Sequence, residues 1–191
     1  MIKKFTLLNN SFQIENILDF YKILAEMKAL FRQGWLNAQI DKNICESVAE
    51  HSFSMALTAI YLLPLFPELN NEKAIKMCLI HDLAEAYIGD FTPIDGLNHK
   101  EKFNLEYNAI NQIFAKFPKG NELLTLWNEF ENASSPEGEF VRDIDKLDML
   151  LQSLVYEVIT DTALSDFQKS ALESIKNKQI SKIAFDLIIS K

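Results

Sequence analysis

The sequence predicts an all-α fold, a single domain over residues 1–191 built as a bundle of about seven helices. Three observations predict it. Apolar residues recur at three- and four-residue spacing along most of the chain instead of alternating. Several of these runs open on Ser or Asn, side chains that cap helix N-termini. Only 5 Gly and 5 Pro punctuate 191 residues that are 48% hydrophobic and include 14 Phe, too few turn formers for a many-stranded protein. The length suits one core, since a domain takes roughly 100–200 residues.

A first helix fits 11–31, with Phe12, Ile17, Leu18, Tyr21, Leu24 and Ala25 spaced for one buried face. Residues 32–46 have no period and read as an irregular segment over the surface. A second helix starts at Ser47, where Ser47 and Glu50 have capping-box spacing, and runs to about Leu63 before Pro64 and Pro67. The third begins at Asn70 or Asn71 and continues to Gly89, and 90–98 is a loop of turn formers. Further helices fit 99–117, 121–132, 136–160 (Ser135 as cap, Pro136 in the first turn), 166–177 and 180–189.

Charge narrows the partners. A formal charge of -8 and a pI near 4.9 argue against long nucleic acid, which needs a basic surface. A small phosphorylated ligand is compatible, because a metal or a few cations reverse the potential inside one pocket. Cys45 and Cys78 follow no paired spacing, and Cys78 reads as a small buried residue. The N-terminus lacks the apolar core of a signal peptide. The apolar run 55–66 is short for a membrane span and contains Pro64. A reduced, cytoplasmic protein with no membrane segment is expected.

The chemistry concentrates in CLIHDLAEAYIGD, residues 78–90. At about 100° per residue, Ile75, Met77, Leu79, Ile80, Leu83, Ala84 and Ala86 surround this helix, while His81, Asp82 and Glu85 share one arc. Each alone is compatible with a hydrogen-bonded core residue or an ion-pair partner. Together on a buried helix they cost several kcal/mol unless a cation compensates them. The chain has three histidines. His99 lies in the polar stretch LNHKEKFN and reads as solvated, whereas His51 aligns with Met55, Thr58 and Leu62 and is the natural second imidazole. Glu50 is explained by capping. On the 136–160 helix the apolar arc holds Asp143 and Asp148 within its limits, with Asp145 just beyond one edge.

VAEHS (48–52), HDLAEAYIGD (81–90) and EFVRDIDKLDM (139–149), in this order, resemble the HD-domain metal-dependent phosphohydrolase superfamily and, within it, the 5'-deoxynucleotidase branch. The resemblance covers about 20–160, leaving 161–191 as a C-terminal helical extension. It implies His51, His81, Asp82 and Asp145 as ligands of one divalent metal, with Asp143 in reserve for Asp145. It implies Glu85 and Asp90 as catalytic carboxylates, and Arg32 and Trp35 of FRQGW as the groups that approach phosphate and sugar. Arg32 and Trp35 are separated by two residues and Ile88 precedes Gly89, a variant pattern that bears on substrate preference. Such ligands suit Mn, Co, Fe, Zn or Ni, with Mg also possible. The expected substrate is a small phosphorylated one, a deoxynucleoside monophosphate, and the resemblance implies a homodimer. Competing readings are an HD phosphodiesterase or guanosine-tetraphosphate hydrolase, disfavoured by Ala86 where a second acid would stand, and a non-enzymatic helical interaction module.

Overall fold

The computed structural model describes the backbone of residues 11–190 and the side chains of residues 17–190. It is all-helical among these residues. The helices are α1 (Ser11–Ala29), α2 (Gln33–Asn37), α3 (Val48–Leu62), α4 (Asn71–Ile80), α5 (Glu85–Ile88), α6 (His99–Phe114), α7 (Gly120–Glu131), α8 (Pro136–Thr160), α9 (Ser165–Ser174) and α10 (Lys178–Ile189). The caps follow the sequence. Ser47 accepts from the Glu50 backbone while Glu50 accepts from that of Ser47, Asn70 caps α4, and Ser135 with Pro136 opens α8.

α8 is the longest helix, at 25 residues, and it ties the core together. Its Ile144, Leu147 and Leu150 pack with Met55 and Ala59 of α3, Met77 of α4 and Ile180 of α10. A second cluster joins Ile23 and Met27 of α1 to Ile110 and Ile113 of α6 and Trp127 of α7. α3 with its following turn, Val48–Leu65, is long and apolar enough to cross a membrane by length and composition. One face of it packs into the bundle, with His51, Met55 and Ala59 fully buried, and the opposite face is exposed.

Four sequence expectations are corrected. The helix expected over 70–88 breaks: α4 ends at Ile80, and α5 resumes only at Glu85. In between, Leu83 and Glu85 bond three residues back, to Ile80 and Asp82, at 3.2 and 3.0 Å. The spacing tightens there to about three residues per turn, yet His81, Asp82 and Glu85, which a uniform wheel puts on one arc, still line a single cavity. Nor is α4 apolar all round, since Leu79 is 46% exposed. On α1, Ile17, Leu18 and Tyr21 are exposed, and the buried residues are Ile23 and Met27; Phe12 falls outside the described side chains. Residues 32–46 are no surface strap. Trp35, Ile40 and Cys45 are buried with Tyr156 and Leu164 in a third cluster, and an isolated antiparallel bridge between Phe31 and Ser47 closes the segment. Its period is hidden because α2 is only one turn long.

Asp143, the reserve ligand, serves the scaffold. Its carboxylate accepts from the backbone N–H of Lys176 and Asn177 at 3.0 and 2.7 Å, fixing the entry to α10. Two charge-assisted bonds to otherwise unpaired donors contribute about 3 kcal/mol. Asp143→Ala should therefore lower Tm by roughly 6–12 °C without reducing the metal bound per folded chain. Calorimetry beside metal analysis checks both, and lost stoichiometry would return Asp143 to the ligand set.

Candidate metal centre

The segments that carry the motifs converge at one point. α3 supplies His51, the turn after α4 supplies His81 and Asp82, and α8 supplies Asp145. His51, His81 and Asp145 each present a ligand atom within 4.8 Å of the other two. Asp82 Oδ2 lies 3.0 Å from His81 Nε2 and 3.8 Å from His51 Nε2, and Asp145 Oδ1 lies 3.3 Å from His51 Nε2.

Both imidazoles are oriented from behind. His81 Nδ1 is 2.9 Å from the Cys78 carbonyl, so this nitrogen carries the proton and donates it. His51 Nδ1 is 2.9 Å from Asp148 Oδ2, and Asp148 Oδ1 accepts from Ser54 Oγ at 2.7 Å. The outward nitrogens, His51 Nε2 and His81 Nε2, are buried and make no well-aligned hydrogen bond, their nearest carboxylate oxygens being Asp145 Oδ1 at 3.3 Å and Asp82 Oδ2 at 3.0 Å. Buried polar atoms are rarely left so, and imidazoles held by a second hydrogen bond are how proteins present ligands to metals. The donor set fits a divalent first-row ion.

The electrostatics agree. Burial opposes ionisation of Asp82 and Asp145, yet cationic neighbours, led by His81 for Asp82 and Lys146 for Asp145, hold both below the usual carboxylate range. Burial and Arg32 work against a charge on His51, but Asp145 and Asp148 outweigh them and hold it at about 9. The site is short of positive charge, and without another cation it retains a proton.

A cavity of about 760 Å³ opens in front of these ligands, lined in part by Arg32, Glu85, Asp90, Lys102 and Lys146. The Arg32 guanidinium reaches Asp82 at 3.4 Å. Glu85 is buried, its Oε2 has no partner, and burial, then Asp82 and Asp90, push its carboxyl well above the usual range. Gly89 adopts φ 86°, and nothing lies within 4 Å of where a Cβ would stand. Glycine is therefore needed for backbone conformation and not for space. It turns the chain so that Asp90 Oδ2 accepts from Gln33 N at 2.6 Å, tying the α2 segment over the cavity. Trp35 borders the cavity but is only 2% exposed. Its indole N–H donates to Glu46 at 2.7 Å, and its ring packs on Tyr156 and Phe167.

Several site residues escape sequence reasoning. Asp148 lies one turn beyond Asp145 inside the apolar arc, and that placement was the available signal for a buried partner of a histidine. Trp127 donates to the His81 carbonyl at 3.0 Å, a contact no motif marks. Lys102 sits in a stretch that reads as solvated, yet it faces the cavity and reaches the Phe91 carbonyl at 3.5 Å.

Two imidazoles and two carboxylates converge in a helical bundle at the base of an open cavity, a donor set able to hold a divalent metal ion. The HD domain family model matches residues 24–187, and the chain belongs to that family. It is 39% identical over 152 residues to the 5'-deoxynucleotidase HDDC2 of Dictyostelium discoideum, covering 75% of this chain and 79% of that one. To the 5'-deoxynucleotidase HDDC2 of Homo sapiens it is 31% identical over 176 residues, covering 90% and 84%. The crystal structure of the PH0347 protein from Pyrococcus horikoshii OT3 superposes with a TM-score of 0.74 at 35% identity, over 93% of this chain and 96% of that one.

Asp148→Ala removes the acceptor behind His51 and should weaken metal binding by about 10–100-fold. Titration calorimetry with Mn or Co on chelator-stripped protein checks this, and an unchanged affinity would mean that Asp148 only stabilises the fold.

Proposed function

We propose that this chain is a metal-dependent 5'-deoxynucleotidase that hydrolyses deoxynucleoside 5'-monophosphates to deoxynucleoside and phosphate. The observation that carries the reading is the convergence of two buried imidazole nitrogens, neither in a well-aligned hydrogen bond, with Asp82 and Asp145, at the base of a cavity that also holds a buried carboxyl and a guanidinium. Relatives over most of the chain bear the same activity in their names.

In this reading His51, His81, Asp82 and Asp145 would hold the ion, which would supply Lewis acidity and acidify water when bound. Arg32 and Lys102 take up negative charge that spreads over the non-bridging oxygens as the P–O5' bond breaks. Water's oxygen ends on phosphate and a proton ends on the 5'-oxygen. Glu85, whose carboxyl burial pushes well above the usual range, is the group placed to exchange that proton. Asp90 has one oxygen committed to Gln33 N, so it holds the Arg32–Trp35 segment in place as well as facing the substrate. Trp35 is fixed by the Glu46 bond and its aromatic neighbours, so a ring edge against C2' resists the extra hydroxyl of a ribonucleotide.

A homodimer belongs to the same proposal. Phe53, Leu57, Ile60 and Tyr61 are 61%, 50%, 49% and 82% exposed along the outer face of α3. Their spacing makes one stripe, and a twofold interface requires one self-complementary patch. Leu57→Lys should shift the species measured by sedimentation towards half its mass. An unchanged mass would place the interface elsewhere.

The activity is tested by phosphate release from deoxy- and ribonucleoside 5'-monophosphates, using stripped protein resupplied separately with Mn, Co, Zn and Mg. Metal-dependent release favouring deoxynucleotides is expected, and no release with any metal would sink the reading. Glu85→Gln should lower kcat by about 10²–10⁴-fold. Trp35→Ala should narrow the deoxy-to-ribo ratio of kcat/KM. That ratio is insensitive to lost folded protein, because the same molecules turn over both substrates.

A further inference from the structure

The cavity runs along α8, and its two ends differ. Arg142, Asp145, Lys146 and Met149 all line it, and at 1.5 Å per residue Arg142 and Met149 stand about 10 Å apart along the axis, with Asp145 between them. The Arg142 end is mostly ionic, and the Phe130 ring there already lies against the Arg142 guanidinium, whose carbon is 5.9 Å from the ring centroid. Glu106 and Glu131 face it, and Arg142 donates to the main-chain oxygens of Phe130 and Glu131 at 3.5 and 2.7 Å. The Met149 end is more apolar: Met149 and Phe167 pack beside Trp35, the Trp35 and Phe167 ring centroids are 4.6 Å apart at 32°, and Asp166, Ser170 and Ser174 stand exposed at the rim.

Resting on the nucleotidase reading, we propose that Phe167 and Met149 form the platform for the substrate's nucleobase. With phosphate at the metal centre, the nucleoside extends towards one end. A base laid over Glu106 and Glu131 would desolvate carboxylates that its apolar faces cannot pair. A base laid over Phe167 covers an aromatic surface, a contact available to every base because every base has a π-face. Trp35 adjoins Phe167, so sugar and base would meet one continuous wall. The serine hydroxyls at the rim both donate and accept, so they accommodate purine and pyrimidine edges alike. The site therefore binds the base without strongly selecting it.

The platform is held before substrate arrives. Glu157 of α8 accepts from Leu164 N and from Gln168 Nε2, both at 2.8 Å, and Leu164 and Ala171 are buried beneath α9. The segment after residue 160 is thus part of the substrate site, although no chemical motif lies in it.

The test compares the deoxynucleoside monophosphates with 2-deoxyribose 5-phosphate, which has sugar and phosphate but no base, on metal-loaded full-length protein. For Phe167→Ala the ratio of kcat/KM between nucleotide and sugar phosphate should fall about tenfold, mostly through KM on the nucleotide. Phe167→Leu, which keeps apolar bulk under α9, should show a smaller fall in the same direction and provides the measurement should the alanine variant misfold. An unchanged ratio, with both substrates affected equally or not at all, would overturn the platform, leaving Phe167 as support for Trp35. A wild-type protein that releases phosphate from the sugar phosphate but no faster from any nucleotide would overturn it too. Failure to hydrolyse every substrate would instead sink the nucleotidase reading and this inference with it.

Discussion

Everything at the centre of this protein depends on compensating buried negative charge. Asp82, Asp145, Asp148 and Glu85 stand around two imidazoles in the interior, with Arg32, Lys102 and Lys146 among the nearby permanent cations. Such an arrangement is costly unless positive charge is supplied. The helices respond to that requirement. α3, the turn after α4 and α8 are packed by the largest apolar cluster so that donor atoms from all three meet, and the hydrogen bonds behind each histidine point its free nitrogen at the same place. Where the ion would sit, the chain itself offers His51 as a proton acceptor at about 9.

Much of this was legible in the sequence, because helical periodicity and caps are local. Ser47 with Glu50, Asn70, and Ser135 with Pro136 mark helix starts that the structure repeats. His51 stood out as an imidazole on an otherwise apolar face, and it is fully buried. What escaped was either too short to show a period or decided by tertiary packing. α2 is one turn long, so Trp35 and Cys45 gave no hint of burial. The break between Ile80 and Glu85 follows no Gly or Pro, so a uniform helical wheel missed it, although His81, Asp82 and Glu85, which the wheel grouped, do line one cavity. On α1, two apolar stripes compete, and the partner helices select Ile23 and Met27 over Ile17, Leu18 and Tyr21.

The three aspartates of α8 show why composition alone could not assign the site. Asp143, Asp145 and Asp148 share a helix and a chemistry, but their helical angles send them to different surroundings. Asp143 meets the backbone before α10, Asp148 meets His51 and Ser54, and Asp145 meets the open cavity. Periodicity placed Asp143 and Asp148 within the apolar arc, where a carboxylate persists only if fully engaged by partners, and the structure supplies two bonds to each. Asp145 at the edge of the arc is the one of the three able to border both protein and solvent.

That position has a directional consequence. His51 and His81 side chains are 0% and 2% exposed, whereas those of Asp82, Asp145 and Arg32 are 17%, 16% and 18% exposed. The imidazoles therefore form the closed back of the centre, and the carboxylates and guanidinium form its open front. A phosphate can approach only from the front, where it meets Arg32 on the same side as Asp82 and Asp145. Two carboxylates facing an incoming anion would repel it unless a cation neutralised them. In the proposed reaction cation and anionic substrate would therefore be bound by one balance of charge, and Arg32, paired with Asp82 at 3.4 Å, would exchange that partner for the phosphate.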